Sequence, residues 1–162
     1  MNDNSRNAIS KAQNTALALL ARRRHSREEM WRKLADRGFE PEVVEKVLSE
    51  CERLHYIDDE TAADFFVAEL VRKQYGLLRI KDAMKARGFD QELIDRMIEV
   101  HHLPEGEANL AVAATRKKKS TWLRETNERK RKEKMIRFLR SRGFRPSTIS
   151  AVLEEIEETW MN

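Results

Sequence analysis

The chain has 162 residues, of which 37% are charged and 40% hydrophobic, and its net charge is +4. Five glycines and three prolines are too few for a β-rich or low-complexity fold and favour a polar helical protein with small cores. A single cysteine excludes an internal disulfide framework and suits a reducing compartment. The longest apolar run, Ala16 to Ala21, is far below the roughly 20 residues of a membrane span. Because no secretory signal precedes it, we expect a cytoplasmic protein without a membrane partner.

The first predicted unit is a three-helix repeat over residues 8–54, preceded by a disordered tail over residues 1–7. A capping-box pattern at Ser26 opens its second helix, since a Glu follows three residues later. That helix ends at Gly38. Pro41 follows at a position where a first helical turn tolerates proline, so the third helix begins there.

The second predicted unit covers residues 55–101. Asp58 or Asp59 caps a long first helix, because a carboxylate accepts free backbone N–H groups and meets the positive end of the helix dipole. The pair Tyr75-Gly76 ends that helix, and two shorter helices follow. We therefore interpret the two aspartates as helix caps and not as an acid–base pair.

The third predicted unit covers residues 102–162 and carries a basic patch. A proline and a glycine within a few residues mark its start, at Pro104 and Gly106. Three helices are expected, with an exposed turn over residues 119–124 between the first and the second. Trp122 lies in this turn, where it either stacks on an exposed base or anchors the turn to the unit.

An Arg-Gly-Phe corner occurs once in each unit, at Gly38, Gly88 and Gly143. A glycine just past a helix end adopts positive φ at little cost, and the apolar residue after it packs back on the last turn. Corners about 50 residues apart indicate an internal repeat. The predicted fold is all-α, with three tandem three-helix repeats forming an elongated, slightly curved helical array.

Clustered basic residues are the candidate binding surface. Such clusters are typical of contacts with nucleic acid or an acidic partner, although a solvated helix face is the alternative interpretation. The candidate residues are Arg22, Arg23 and Arg24 in the first unit and Lys117, Lys118, Lys119, Arg124, Arg131, Lys132 and Arg137 in the third.

Catalytic and metal-binding patterns are weak in this sequence. No glycine-rich phosphate loop is present. The adjacent residues His101 and His102 splay apart at a helix end, whereas a helical zinc pair needs a spacing of three or four. We therefore predict no enzyme, no metal and no cofactor.

Five segments carry a resemblance to a known family: Ala18-Leu19-Leu20-Ala21-Arg22-Arg23, Ser26-Arg27-Glu28-Glu29, Leu54-His55-Tyr56-Ile57-Asp58-Asp59, Tyr75-Gly76 and Lys85-Ala86-Arg87-Gly88-Phe89. Through them the sequence resembles the RecX family of RecA regulators over residues 12–158. This resemblance implies a negative regulator that binds the RecA–single-stranded DNA filament in its groove and limits its growth, its ATPase activity and its strand exchange. It also implies weak direct binding to single-stranded DNA, and we expect a monomer.

Three functional hypotheses remain after the sequence analysis. The first is a regulator that lies along a recombinase filament. The second is a free-standing nucleic-acid-binding protein that acts through the basic third unit, because the glycine corners resemble those of helix-turn-helix modules. The third, an enzyme, has no supporting motif.

Overall fold

The computed structural model describes residues 3–160, except for the side chains of residues 3, 4, 157, 158 and 160. Within this range the chain forms helices only, which confirms the all-α prediction. None of the described helices is long and apolar enough to cross a bilayer. The helices are α1 (Asp3–Leu20), α2 (Arg27–Ala35), α3 (Pro41–Arg53), α4 (Asp59–Arg72), α5 (Leu77–Ala86), α6 (Gln91–Val100), α7 (Leu103–Arg116), α8 (Lys119–Leu123), α9 (Glu128–Ser141) and α10 (Pro146–Trp160).

Two local predictions are wrong. Helix α1 begins at Asp3, so residues 3–7 are helical and not a disordered tail, while residues 1 and 2 lie outside the described range. The exposed turn expected over residues 119–124 is largely the short helix α8. Both stretches contain few helix-breaking residues, so they continue or resume the helical conformation that their neighbours adopt.

Side-chain caps begin several helices as the sequence predicts. The Oγ of Ser26 accepts a hydrogen bond from the backbone N–H of Glu29 at 3.0 Å. Asp58 accepts one from the N–H of Thr61, also at 3.0 Å, at the start of α4. Each cap satisfies a backbone donor that has no partner within its own helix.

The three glycine corners share one backbone geometry. Gly38, Gly88 and Gly143 have φ angles of +83°, +81° and +80°. At the second corner the N–H of Phe89 donates to the carbonyl of Met84 at 3.3 Å, and Gly88 donates to Lys85 at 2.9 Å. The same pair of hydrogen bonds closes the other two corners. This is the Schellman helix end that the Arg-Gly-Phe motif predicts.

Two compact units make up the chain, and each draws on non-contiguous segments. The first unit combines the residues up to Phe65 with Met84–Ile94. In it, α1 and α2 both pack on α3. The core of this unit consists of Ala12, Ala16, Met30, Leu34, Val44, Val47, Leu48, Cys51 and Ile57.

The second unit combines Phe66–Ala83 with the residues from Asp95 onward. Helix α10 packs on α7 and α9, and α8 packs on α9. Its core includes Ala111, Val112, Ala114, Trp122, Met135, Leu139, Phe144, Ile149, Val152, Leu153 and Ile156.

The second corner belongs to the first unit because α2 begins against it. The hydroxyl of Ser26 donates to the carbonyl of Arg87. A Cβ on Gly88 would lie only 2.5–2.6 Å from side-chain atoms of Glu28 and Arg32. The start of one repeat's second helix therefore packs on the corner of the next repeat, and the compact units cut across the sequence repeats for this reason.

The third corner receives the start of α5 in the same way. The N–H of Gly76 donates to the carbonyl of Arg142 at 2.8 Å, and that of Leu78 to the carbonyl of Gly143 at 3.0 Å. A Cβ on Gly76 would overlap the backbone of Gly143 and Phe144. Gly76 thus permits a close backbone approach, which is a different role from that of the corner glycines.

Candidate nucleic-acid and partner-binding surfaces

The basic residues of the third repeat all lie in the second unit, around α8 and along α9. Some of them lie at the ends of α7 and α8, and the others lie along α9. The exposed candidates are Lys117, Lys118, Lys119, Arg124, Lys132 and Arg137, whereas Arg131 is half-buried.

Trp122 anchors α8 and is not a platform for a base. Its side chain is only 6% exposed. The indole N–H donates to the carbonyl of Thr115 at 3.0 Å, and the ring packs at a tilt against Phe138 with centroids 5.5 Å apart. The Nζ of Lys118 lies 4.6 Å from the centroid of that Phe138 ring. Of the two roles considered for Trp122, the structure supports the anchor.

Acidic side chains neutralise part of this basic surface. Glu125 lies 2.6 Å from the Nζ of Lys134, and Glu133 lies 3.1 Å from the Nε of Arg129. The hydrogen bond from Lys134, with a further one from a backbone N–H, lowers the pKa of the Glu125 carboxyl. Arg131 donates to the backbone carbonyl of Glu125 at 3.2 Å. Part of the predicted patch therefore holds the loop before α9 in place.

Three predicted basic residues have side chains without a described contact. Lys117, Arg124 and Arg137 are exposed, and they make no hydrogen bond or ion pair with any side chain or backbone group in the described part of the chain. Long cationic side chains of this kind can contact phosphates without first breaking an internal ion pair.

The basic cluster of the first unit is divided between structural and exposed roles. Arg23 forms an ion pair with Glu29 and donates to the carbonyl of Arg24 at 2.9 Å. The guanidinium of Arg24 lies 4.6 Å from the ring centroid of Phe65, whose side chain is 57% exposed. Arg22 is exposed. The structure therefore leaves Arg22 and the Arg24–Phe65 pair as possible contact points, while Arg23 fixes the start of α2.

His25 lies buried beside this cluster. Its Nδ1–H donates to the carbonyl of Arg23 at 2.9 Å, since a carbonyl can only accept. Burial is the main cause that lowers the pKa of the His25 imidazole, and the charge of Arg23 adds to it, although Glu29 opposes the shift. The imidazole is therefore held in its neutral form near pH 7.

Three acidic residues of the first unit surround Arg27. Its guanidinium lies 2.6 Å from Glu45 and 2.9 Å from Glu52. Its backbone N–H donates to Asp59 at 2.7 Å. Burial raises the pKa of the Asp59 carboxyl, although this hydrogen bond opposes the shift. Asp59 thus tethers the start of α2, while Asp58 is the residue that caps α4.

Glu107 is a buried carboxylate that the sequence analysis missed. It is 1% exposed and accepts hydrogen bonds from Thr148 at 2.6 Å, from Arg145 at 2.6 Å and from the N–H of Leu77 at 2.9 Å. Burial acts to raise the pKa of Glu107, but these hydrogen bonds outweigh it and the pKa is lowered. Its spacing in the sequence could have indicated burial. Leu103 and Ala111, which are buried, lie four positions before and after it and therefore on the same face of the helix.

Two arginines outside the list of candidate residues surround Tyr75. The guanidinium carbons of Arg79 and Arg142 lie 4.3 and 5.3 Å from the ring centroid of Tyr75. Arg142 donates to the carbonyl of Lys73 at 2.6 Å, and Arg79 to that of Ser141 at 3.0 Å. These contacts explain why a tyrosine precedes Gly76 at the point where α5 meets the third corner.

The fold and these surfaces define a class of protein. It is an all-helical protein with repeated three-helix units and charged surfaces. Two family models match it, described as the first and the third three-helix domains of RecX, over residues 12–51 and 105–153.

Relatives over nearly the whole length identify the family. The chain is 31% identical over 153 residues to the regulatory protein RecX of Legionella pneumophila strain Corby, covering 94% of this chain and 99% of the relative. It is also 31% identical over 144 residues to that of Pseudomonas fluorescens strain SBW25, covering 86% and 87%. The chain therefore belongs to the RecX family of regulatory proteins.

A solved structure shows the same fold. The crystal structure of RecX from Lactobacillus salivarius superposes with a TM-score of 0.77 at 20% identity, covering 93% of this chain and 97% of that one. A second crystal structure of a regulatory protein RecX gives a TM-score of 0.75 at 23% identity, covering 93% and 73%.

Proposed function

We propose that the protein is a regulator that binds the RecA–single-stranded DNA filament in its groove and inhibits its growth, its ATPase activity and its strand exchange. One observation carries the proposal, namely the 31% identity to a regulatory protein RecX over almost the full length of both chains. The proposed mechanism is steric: the protein lies along the filament and bridges adjacent recombinase subunits, performing no chemistry of its own. We further propose that it acts as a monomer in the cytoplasm, where such filaments form.

The charge distribution supports two kinds of contact. The basic residues around α8 and along α9 suit DNA phosphates, and Arg22 and Arg24 add a smaller basic surface in the first unit. Exposed acids on α3 suit basic regions of recombinase subunits, and Glu42 is one of them, while Glu45 and Glu52 also pair with Arg27. A filament of protein and nucleic acid offers both kinds of partner surface.

Inhibition of ATP hydrolysis tests the proposal. Purified protein is added to RecA assembled on single-stranded DNA, and ATP hydrolysis is followed while the ratio of protein to recombinase increases. The proposal predicts progressive inhibition at sub-stoichiometric to stoichiometric ratios. An unchanged rate at equimolar protein would contradict it.

A second candidate function is direct binding of nucleic acid in the absence of a recombinase. Exposed side chains without described contacts, Lys117 and Arg124 among them, favour it. Free-strand binding through six to ten phosphates would lose roughly three to five orders of magnitude in affinity over a fourfold rise in salt. This salt dependence separates it from binding to the filament.

A further inference from the structure

Two adjoining grooves on the second unit share Arg140. One has a cavity volume of ≈ 360 Å³ and the other of ≈ 330 Å³. Both are open to solvent, and they meet at the last turns of α9. The first is lined by Glu133, Ile136, Arg137 and Arg140, and the second by Leu78, Arg79, Asp82, Arg140, Ser141 and Gly143.

Two arginines of these grooves are available for a ligand. Arg137 and Arg140 are exposed and lie three residues apart on α9, while Met135 and Leu139 of the same helix are buried in the core. Among the side chains that the structure describes, neither guanidinium has a hydrogen-bond or ion-pair partner. A ligand could therefore bind them without displacing an internal partner.

The second groove is held in place by the contacts at the third corner. Arg79 donates to the carbonyl of Ser141 at 3.0 Å and stacks on Tyr75. The N–H of Leu78 donates to the carbonyl of Gly143 at 3.0 Å. A wall fixed in advance loses little conformational entropy when a ligand binds.

The balance of charge in the grooves is positive. Three arginines line them, against the two acids Glu133 and Asp82. Glu133 is already paired with Arg129, at 3.1 Å. The basic residues near α8 differ, because Lys118 lies over the Phe138 ring and Arg131 donates to a backbone carbonyl. The grooves therefore bring two guanidinium groups without a described partner, Arg137 and Arg140, onto one surface.

This arrangement suits a chain of regularly spaced phosphates. A guanidinium binds a phosphate through two parallel hydrogen bonds. Side chains three positions apart on a helix have Cβ atoms about 5–6 Å apart, so two such arginines can contact neighbouring phosphates. Leu78, which is 47% exposed, and the partly buried Ile136 add apolar surface for sugars and bases.

We propose that these two grooves bind the phosphodiester backbone of a single DNA strand, with Arg137 and Arg140 contacting successive phosphates. This inference rests on the proposed function and specifies which of the basic residues touch the strand. Arg79 lines the second groove beside the third corner and adds a positive charge there.

Strand binding by a double variant tests the inference. Arg137→Gln with Arg140→Gln removes two charges and keeps good helix formers. The matched control, Arg72→Gln with Lys85→Gln, removes two charges from exposed positions elsewhere. Binding to a fluorescent oligo(dT) strand is measured by anisotropy at several salt concentrations, and inhibition of RecA ATPase activity is measured in parallel.

The groove variant should bind the strand roughly tenfold more weakly or worse, because each lost contact is a charge-assisted hydrogen bond. Its salt slope should fall by about 1.4, at about 0.7 per phosphate of a single strand. The control should stay within about twofold of the original protein, since it loses long-range attraction only.

Other outcomes overturn the inference without touching the proposed function. Equal strand binding by the groove variant and the control would show that the strand lies elsewhere. Weaker inhibition of the recombinase with unchanged strand binding would assign the grooves to an acidic protein segment instead. If the unaltered protein binds the strand but fails to inhibit RecA, the proposed function fails and the groove can still be judged from the anisotropy.

Discussion

Gly38 and Gly143 end their helices in the same left-handed conformation, yet their surroundings differ. A Cβ added to Gly38 would meet nothing within 4 Å. A Cβ added to Gly143 would lie 2.5 Å from the N and 2.9 Å from the Cα of Arg79. At the first corner glycine is needed only for the backbone conformation, whereas at the third corner it also leaves room for the start of α5.

The largest expected effect comes from placing alanine at these two corners. Gly143→Ala combines positive-φ strain with a clash against backbone, so we expect a loss of about 4 kcal/mol in the free energy of unfolding. Gly38→Ala suffers the strain alone and should lose about 1 kcal/mol. Urea denaturation of both variants measures the difference. Equal losses would mean that packing at the third corner adds nothing.

Gly76→Ala separates the steric requirement from the conformational one. Its φ is not positive, so the expected loss of about 3 kcal/mol comes from overlap with the backbone of Gly143 and Phe144. Gly106→Ala is the control, because it lies inside α7 with nothing within 4 Å of the added Cβ. Alanine there should stabilise by about 0.5–1 kcal/mol. A Gly76 variant as stable as the original would contradict the close approach.

The corners themselves were predictable from the sequence, whereas the packing of helix starts on these corners was not. A Schellman helix end depends on residues within one turn, so the local sequence at Gly88 and Phe89 is enough to predict it. The contact between Ser26 and Arg87 joins residues 61 positions apart, and nothing in the local pattern of Ser26 beyond its cap indicates a partner. Long-range packing of this kind appears only when the repeats are folded.

The presence of a basic surface was predictable from the sequence, but which of its residues form internal contacts and which are exposed was not. Charge alone could not separate Arg23, which pairs with Glu29, from Arg22, which is exposed. It also pointed to Trp122 as a possible base-stacking residue, although that indole reaches the Thr115 carbonyl and is buried. Such differences depend on side-chain partners that are distant in sequence or on a different helix.

Glu107 tests how far the second unit depends on a buried carboxylate, whereas the buried polar residues of the first unit include the neutral side chains of His25 and Ser26. Glu107→Gln removes the charge that pairs with Arg145, which is itself 35% exposed, and weakens the hydrogen bond from Thr148. We expect a loss of about 2 kcal/mol in the free energy of unfolding. Glu105→Gln, exposed on the same helix, should change stability by less than about 0.5 kcal/mol. Thermal melting that does not distinguish the two variants would count against the buried network.

His25 gives the smallest effect, and it should appear in the first unit as a dependence on pH. Since its folded pKa lies below its unfolded value, the unfolded chain binds more protons, and stability falls as pH drops below about 7 and on through the folded pKa. His25→Gln should flatten this dependence over the same interval. His55→Asn replaces an exposed histidine with a residue that tolerates its positive φ, and it should retain the dependence. A His25 variant with an unaltered pH profile would contradict the buried neutral imidazole.

Binding to the assembled filament is the most direct measurement of what this protein does. Labelled protein is sedimented with RecA–single-stranded DNA filaments and, separately, mixed with the free strand, at about 50 and about 200 mM salt. We predict that binding to the filament persists at the higher salt, because protein–protein contacts contribute, while binding to the free strand is largely lost. Filament binding that weakens with the same salt slope as binding to the free strand would contradict a regulator that recognises the assembly.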